Sequence, residues 1–219
     1  MSEHMTKREL QAIHSRQHIL DTCAKLVETK DWNEIKISDI CEAAHISVGA
    51  FYHYFKSKSD ILINADWRMD QYFYETVLPH ALQMRPDEGL FYYLSCQSDY
   101  YSGFGVNVFR NLFKAMLDDK TFFSSIPDRG FIRGIYTILE QARDEHLLPP
   151  TTDLWNLTHQ LLGLDYGIYY FWCVTAPNIE IHQYADTMFR TYLQSIFSAG
   201  SEGDRSPAAP RTVMDSVLK

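Results

Sequence analysis

The stretch ISDICEAAHISVGAFYHYFKSKSDIL, residues 37–62, holds two short apolar helices separated by a brief link at His45 and Ile46. Ser38 stands where a hydroxyl can cap the first helix, and Asp39 lies in its first turn, where the helix dipole favours a carboxylate. Ile40, Ala43 and Ala44 share one side of it, and Ser47 can cap a second helix running to about Phe55. Two apolar helices joined this closely form a helix-turn-helix. Ser57 and Asp60 then have capping-box spacing and open a longer helix, predicted to reach Leu78 and to end at Pro79.

Side-chain size is uneven along the second helix. On a 3.6-residue period, positions 48, 51 and 55 share one side, while Gly49, Ala50 and His53 share the other. Val48, Phe51 and Phe55 are expected to anchor the helix, with Tyr52 and Tyr54 on its flanks. A helix that is bare at its start suits end-on entry into the DNA major groove. Gly49 and Ala50 let the backbone approach base edges, His53 reaches the groove floor, and the Tyr52 and Tyr54 hydroxyls bond phosphates on either wall. Val48, in the first turn, is counted with this contact set. Lys56 and Lys58 add phosphate contacts, and Ser38 and Ser47 offer hydroxyls at two helix starts.

These residues resemble the DNA-binding signature of the tetracycline-repressor-like (TetR/AcrR) family of bacterial regulators, which usually reads much like A-A-x-x-V-S-x-G-T-x-Y-x-H-F-x-x-K. The match carries over Ser38, Ser47, Gly49, Tyr52, Phe55, Lys56 and Lys58. His45 stands where the family often has a turn glycine, a place a histidine can hold in the left-handed region at some cost. Ala50 replaces a common Thr, and Tyr54 a common His. The resemblance implies a repressor whose larger half binds a ligand and dimerises through its last two helices.

Working outward, residues 8–29 read as a helix, because Ile19, Cys23 and Leu26 recur at i, i+4, i+7. Downstream the pattern predicts only helices, at 86–102, 105–118, 129–147, 152–174 and 179–198. Breaks fall at Gly103, Gly105, Pro127, Pro149, Pro150 and Pro177. No stretch sustains the alternation of a strand, so the fold class is all-α. The expected organisation is a three-helix DNA-binding domain over 1–57, a helical ligand-binding and dimerisation domain over 58–198, and a disordered tail over 199–219, rich in Ser, Pro and charge.

LWNLTHQLLGLDYGIYYFWCV, residues 154–174, is apolar on nearly every face, too much for a helix with one side in water. A homodimer interface using Trp155, Leu162, Tyr166, Met188, Tyr192 and Ile196 would bury the surplus. Dimerisation also sets two recognition helices on half-sites about 34–36 Å apart, or a near multiple, on a pseudo-palindromic double-stranded operator. The density of tyrosines in the larger half points to a pocket for a flat apolar or aromatic molecule, since each buried hydroxyl wants a partner. Its candidate lining is Trp67, Tyr74, Tyr93, Gln97, Tyr100, Phe113, Met116 and Tyr169. Asp70, Asp99 and Asp165 could orient a cationic ligand. A ligand that tilts the fourth helix, with Lys58 at its DNA end, would release the operator by linkage.

The formal charge of -8 argues against indiscriminate coating of nucleic acid. Its distribution softens that objection: residues 1–64 hold 8 basic and 9 acidic side chains, residues 65–219 hold 12 and 19. Cys23, Cys41, Cys96 and Cys173 form no C-x-x-C pair and are read as buried thiols. His14 and His18 have metal spacing but no convergent third ligand, so no metal or cofactor is expected. No nucleophile elbow, zinc-protease motif or phosphate loop occurs, so no enzyme is expected. The chain reads as cytoplasmic, with no membrane partner. The alternative is a ligand- or protein-binding module of the same fold that has lost its operator.

Overall fold

The computed structural model describes residues 6–118 and 129–199, and they are helical with no strand among them. The helices are α1 (Lys7–Thr29), α2 (Ile37–Ala43), α3 (Val48–Tyr54), α4 (Lys58–Tyr72), α5 (Leu78–Ala81), α6 (Pro86–Ser102), α7 (Val106–Asp118), α8 (Gly130–Asp144), α9 (Leu154–Thr175) and α10 (Ile181–Ala199). The predicted break at Pro127 and the predicted tail from 200 onward lie outside the described residues.

Local capping sets several helix starts. Thr6 and Glu9 exchange bonds ahead of α1, Ser47 Oγ accepts the Ala50 amide at 3.1 Å, and Ser57 Oγ accepts the Asp60 amide at 3.1 Å. Asp60 Oδ2 in turn accepts the Lys56 amide at 2.9 Å. α2 differs from expectation: it starts after Lys36, whose amide donates to Asp39 at 3.0 Å, so Ser38 lies inside the first turn and is exposed. The Lys30 ammonium, 2.6 Å from Asp39, completes that corner. His45 takes φ 54° and supplies the left-handed turn.

Pro79 does not end the fourth helix. A π turn at Phe73–Val77 widens the hydrogen-bond ring just ahead of the proline, which has no N–H to give, and the chain continues as α5. In the larger half α6 packs on α10, α8 and α5, while α4 packs on α7 and α9 lies across α8 and α10. Cys23 and Cys41 are buried, whereas Cys96 and Cys173 are only half-buried, at the rim of this core.

Polar ties join the first three helices to the rest. The Lys58 ammonium donates to the Trp32 and Ile35 carbonyls at 2.5 and 2.8 Å and lies over the Trp32 ring. Arg68 pairs with Asp21 at 2.9 Å, and Asn111 bonds Asn33 at 3.1 Å. No helix among the described residues is long and apolar enough to cross a membrane.

Candidate DNA-binding face and effector interior

Phe51 and Phe55 are fully buried where α3 packs on α2, with the Arg16 guanidinium of α1 over the Phe55 ring. The opposite side stays open. Val48 is 48% exposed and Tyr52 54%, Gly49 has free space where a side chain would be, and His53 and Lys56 face water. Ala50 and Tyr54 are half-buried on the flanks, and Ser47 and Ser38 are exposed at their helix starts. Two expectations change. Val48 is no anchor, because the α3 start projects beyond the packing surface. Lys58 points inward to two carbonyls, and burial lowers its pKa, so its charge closes the domain joint instead of facing a phosphate.

Behind this face lies a cleft of about 270 Å³ between α1, α4 and α7. Leu20, Val27 and Trp32 form its N-terminal side, and Leu62, Phe104 and Phe109 the side on the larger helical half. A group occupying it touches both halves of the molecule at once.

A smaller chamber, about 20 Å³, sits deeper, inside the larger helical half. Its polar wall starts on α4, where Asp66 and Asp70 project from one side. Arg129, just before α8, donates to both carboxylates, and the Phe131 amide adds a bond to Asp70 at 3.2 Å. Gly130 permits this approach, since a side chain there would overlap the Asp70 carbonyl. Tyr101 Oη donates to Asp66 at 2.7 Å. Across the chamber, Asp165 on α9 is fully buried. Burial pushes the Asp165 carboxyl well above the usual carboxylate range, with the Gln97 amide pulling it back and Asp66 adding to the rise. Burial likewise raises Asp70, to about 6, against the pull of Arg129.

Of the eight predicted pocket residues, Gln97, Met116 and Tyr169 meet at the inner chamber, and Tyr100 lines the outer cleft. The other four line neither. Trp67 covers Arg129 from outside, 4.7 Å from ring to guanidinium, and Tyr74 lies beside Arg133. Tyr93 is packed solid, stacked on Phe131 with its hydroxyl against Gly134. Phe113 forms an outer ring layer against Phe109 and Tyr166. Asp99 points out and pairs with His182 at 2.9 Å, away from the interior. Sequence reasoning missed Asp66 and Arg129; the i, i+4 carboxylates on an apolar stretch of α4 were the available signal for Asp66, and Arg129 carried none. His18 is turned to the Ala44 carbonyl, so it does not join His14 as a ligand pair.

The predicted interface residues also divide. Leu162 and Tyr166 line the inner chamber, Leu162 buried and Tyr166 half-buried. The outward strip of α9 is instead Trp155, Gly163, Gly167, Tyr170 and Val174, the last two each 57% exposed. Both glycines have open space in front of them. Met188, Tyr192 and Ile196 on α10 are half-buried, and Tyr192 bonds Gln160 at 2.7 Å.

Residues 19–65 match the family model described as "Bacterial regulatory proteins, tetR family". Over 66 residues the chain is 36% identical to the HTH-type transcriptional regulator AcrR of Shigella flexneri, a match covering 30% of this chain and 29% of AcrR. The whole architecture is similar to Thermus thermophilus FadR, a TetR-family repressor solved with lauroyl-CoA: TM-score 0.67, 19% identity, 89% of this chain and 99% of that one. A TetR-family regulator of Pectobacterium atrosepticum gives TM-score 0.70 at 13% identity over 88% of this chain and 98% of that one. Bacillus subtilis FadR with stearoyl-CoA gives 0.59 at 14% over 82% and 98%.

Proposed function

From a chain whose helix-turn-helix domain belongs to the tetR family of bacterial regulatory proteins, and whose fold is that family's throughout, we propose a dimeric repressor released from its operator by a small molecule. The observation that carries this reading is the α3 face: a capped helix anchored by Phe51 and Phe55 presents Val48, Gly49, Tyr52 and His53 outward, bare enough for base edges. Ser38, Ser47 and Lys56 ring that face as phosphate contacts.

The apolar strip of α9 supports dimerisation. Four large side chains, Trp155, Tyr170, Phe171 and Val174, stay substantially exposed along it, and the two open glycines let a second α9 approach closely. Such an interface couples effector to operator. A molecule preferring a state with a different angle between α1 and α4 changes the recognition-helix spacing and weakens DNA binding by the same free energy. Acyl-CoA bound to two of the similar structures supports a small-molecule effector here.

The test is selection of bound fragments from a genomic DNA library, comparing wild type with the double variant Tyr52→Ala, Lys56→Ala across a salt series. Wild type should enrich a pseudo-palindrome, and the variant should lose it. The inward Lys58 favours one other reading, a module of this fold without an operator, because it leaves fewer cations for phosphates. A shallow salt slope with no enriched sequence would establish that reading instead.

A further inference from the structure

The inner chamber is lined by three carboxylates, Asp66, Asp70 and Asp165, and one guanidinium, Arg129. Arg129 bonds Asp66 and Asp70, on its own side of the chamber. Asp165 stands opposite, and its Oδ1 has no hydrogen-bond partner; neither does the neighbouring Gln97 Oε1, also buried. Both orphaned atoms are acceptors. Unsatisfied buried groups are costly, and two acceptors around one small space suit a donor with at least two hydrogens to give, which an ammonium supplies together with the charge that matches a carboxylate. The rings of Tyr101, Phe109, Tyr166 and Tyr169 surround the same space, and aromatic faces attract cations. With about 20 Å³, the chamber holds a group near the size of a water molecule, which an ammonium matches.

The outer cleft supplies room for the remainder. Asp66, Tyr101 and Phe109 line both spaces, so they form the partition between them. The cleft's volume, about 270 Å³, lies near the lower end of the ~300–1,000 Å³ range of small-molecule sites, and its walls are mainly apolar.

We propose that the effector is a primary ammonium cation on a compact apolar body: the ammonium donates to Asp165 Oδ1 and Gln97 Oε1, and the body passes Tyr101 into the cleft against α1. This rests on the effector domain being a sensor and names the class of molecule sensed. The consequence for mechanism is direct. Seating the body moves Tyr101 off the partition and places the ligand against Leu20 and Val27 of the DNA-binding half. Ammonium entry also requires Asp165 to be ionised. Facing Asp165 are Asp66 and Asp70 from α4, Gln97 and Tyr101 from α6, Arg129 ahead of α8, and Tyr166 and Tyr169 from α9 itself. Burial raises the Asp165 carboxyl, so an ammonium that favours the carboxylate draws it back down, and binding is coupled to proton release and tightens as pH rises.

The test is calorimetric titration of the full chain with three molecules sharing one body: 4-phenylbutylamine, 4-phenylbutanol and 4-phenylbutyrate, with lauroyl-CoA as a fourth. The amine should bind at least tenfold tighter than the alcohol, with proton release, and tighter at pH 8 than at pH 6. Asp165→Asn should cut amine affinity tenfold or more, abolish the pH slope and weaken the alcohol far less than the amine; Gln97→Leu should weaken the amine selectively. Equal binding of amine and alcohol, or amine binding unaffected by Asp165→Asn, overturns the proposal. Binding of the butyrate or lauroyl-CoA without the amine overturns it while keeping the sensor reading. No binding by any of the four to folded protein counts against both.

Discussion

In the DNA-binding half, polar side chains are tied off: Lys58 on two carbonyls, Asp39 on Lys30 and Lys36, Ser47 on the Ala50 amide. In the effector half, Tyr93 Oη, Gln97 Oε1, Gln141 Oε1 and Asp165 Oδ1 are buried without a partner, and no such atom lies before residue 93 among the described residues. Each unmade bond costs about 1–3 kcal/mol. The difference fits the two tasks of the proposed function. A reading head must present one fixed shape, so its polar groups lock it. An interior that senses, as proposed, gains from carrying groups that only a ligand satisfies, because the ligand's differential affinity is what shifts the equilibrium.

The largest expected effect strikes the locked half. Phe51 is fully buried, and Phe51→Ala should cost about 3–5 kcal/mol through lost burial and the cavity left behind. Hydrogen exchange of the variant should show lost protection across α1–α3 and retained protection in α6 and α9. Equal loss everywhere would show one cooperative unit and break the comparison.

Acid should act on the two halves with opposite sign. Hydrogen bonds hold Asp39 and Asp31 below the carboxylate range, through the Lys30 ammonium for Asp39 and the Asn33 amide for Asp31. Their stabilisation is present above the unfolded pKa and is lost as pH falls through the lower folded value. Asp70 runs the other way. Burial lifts it to about 6, so its contribution is fully present below the unfolded pKa and is lost as pH rises through about 6. The difference is worth about 3 kcal/mol at most. Exchange-resolved denaturation should therefore show the effector half gaining stability from pH 7 to pH 4.5 and the DNA-binding half losing it below pH 4. Asp70→Asn should flatten the first slope; an unchanged slope would mean another group carries it.

The locked half was also the legible half. Ser47, Ser57, Asp60, Phe51 and Phe55 act on neighbours within a few residues, so spacing alone places them. Lys58 escaped this logic, because its carbonyl partners lie 26 and 23 residues upstream and a motif reads only the charge. The Asp66–Asp70–Arg129 cluster was hidden for the same reason, with about sixty residues separating acids from base. α9 misled in another way. A helix apolar all round has no phase in its sequence, so Leu162 and Tyr166 looked as suited to a partner as Gly163, Gly167 and Tyr170, until packing on α8 and α10 decided which side was inward.

The smallest effects sharpen the comparison most, because they isolate one hydrogen-bonding group in each half. Ser47→Ala removes the α3 cap and should destabilise by about 1 kcal/mol, with faster exchange at the Ala50 amide. Tyr93→Phe removes a buried hydroxyl that has no partner and lies against Gly134, so it should stabilise by about 1 kcal/mol. In a chain of this size that is a rise in Tm of about 2–4 °C, readable by calorimetry. The substituted ring keeps its stacking on Phe131, 5.2 Å between centroids, so packing loss does not mask the gain. If Tyr93→Phe lowers Tm instead, its hydroxyl is satisfied in solution, and the unmet groups of the effector half contract to Gln141 and the pair facing the chamber, Gln97 and Asp165.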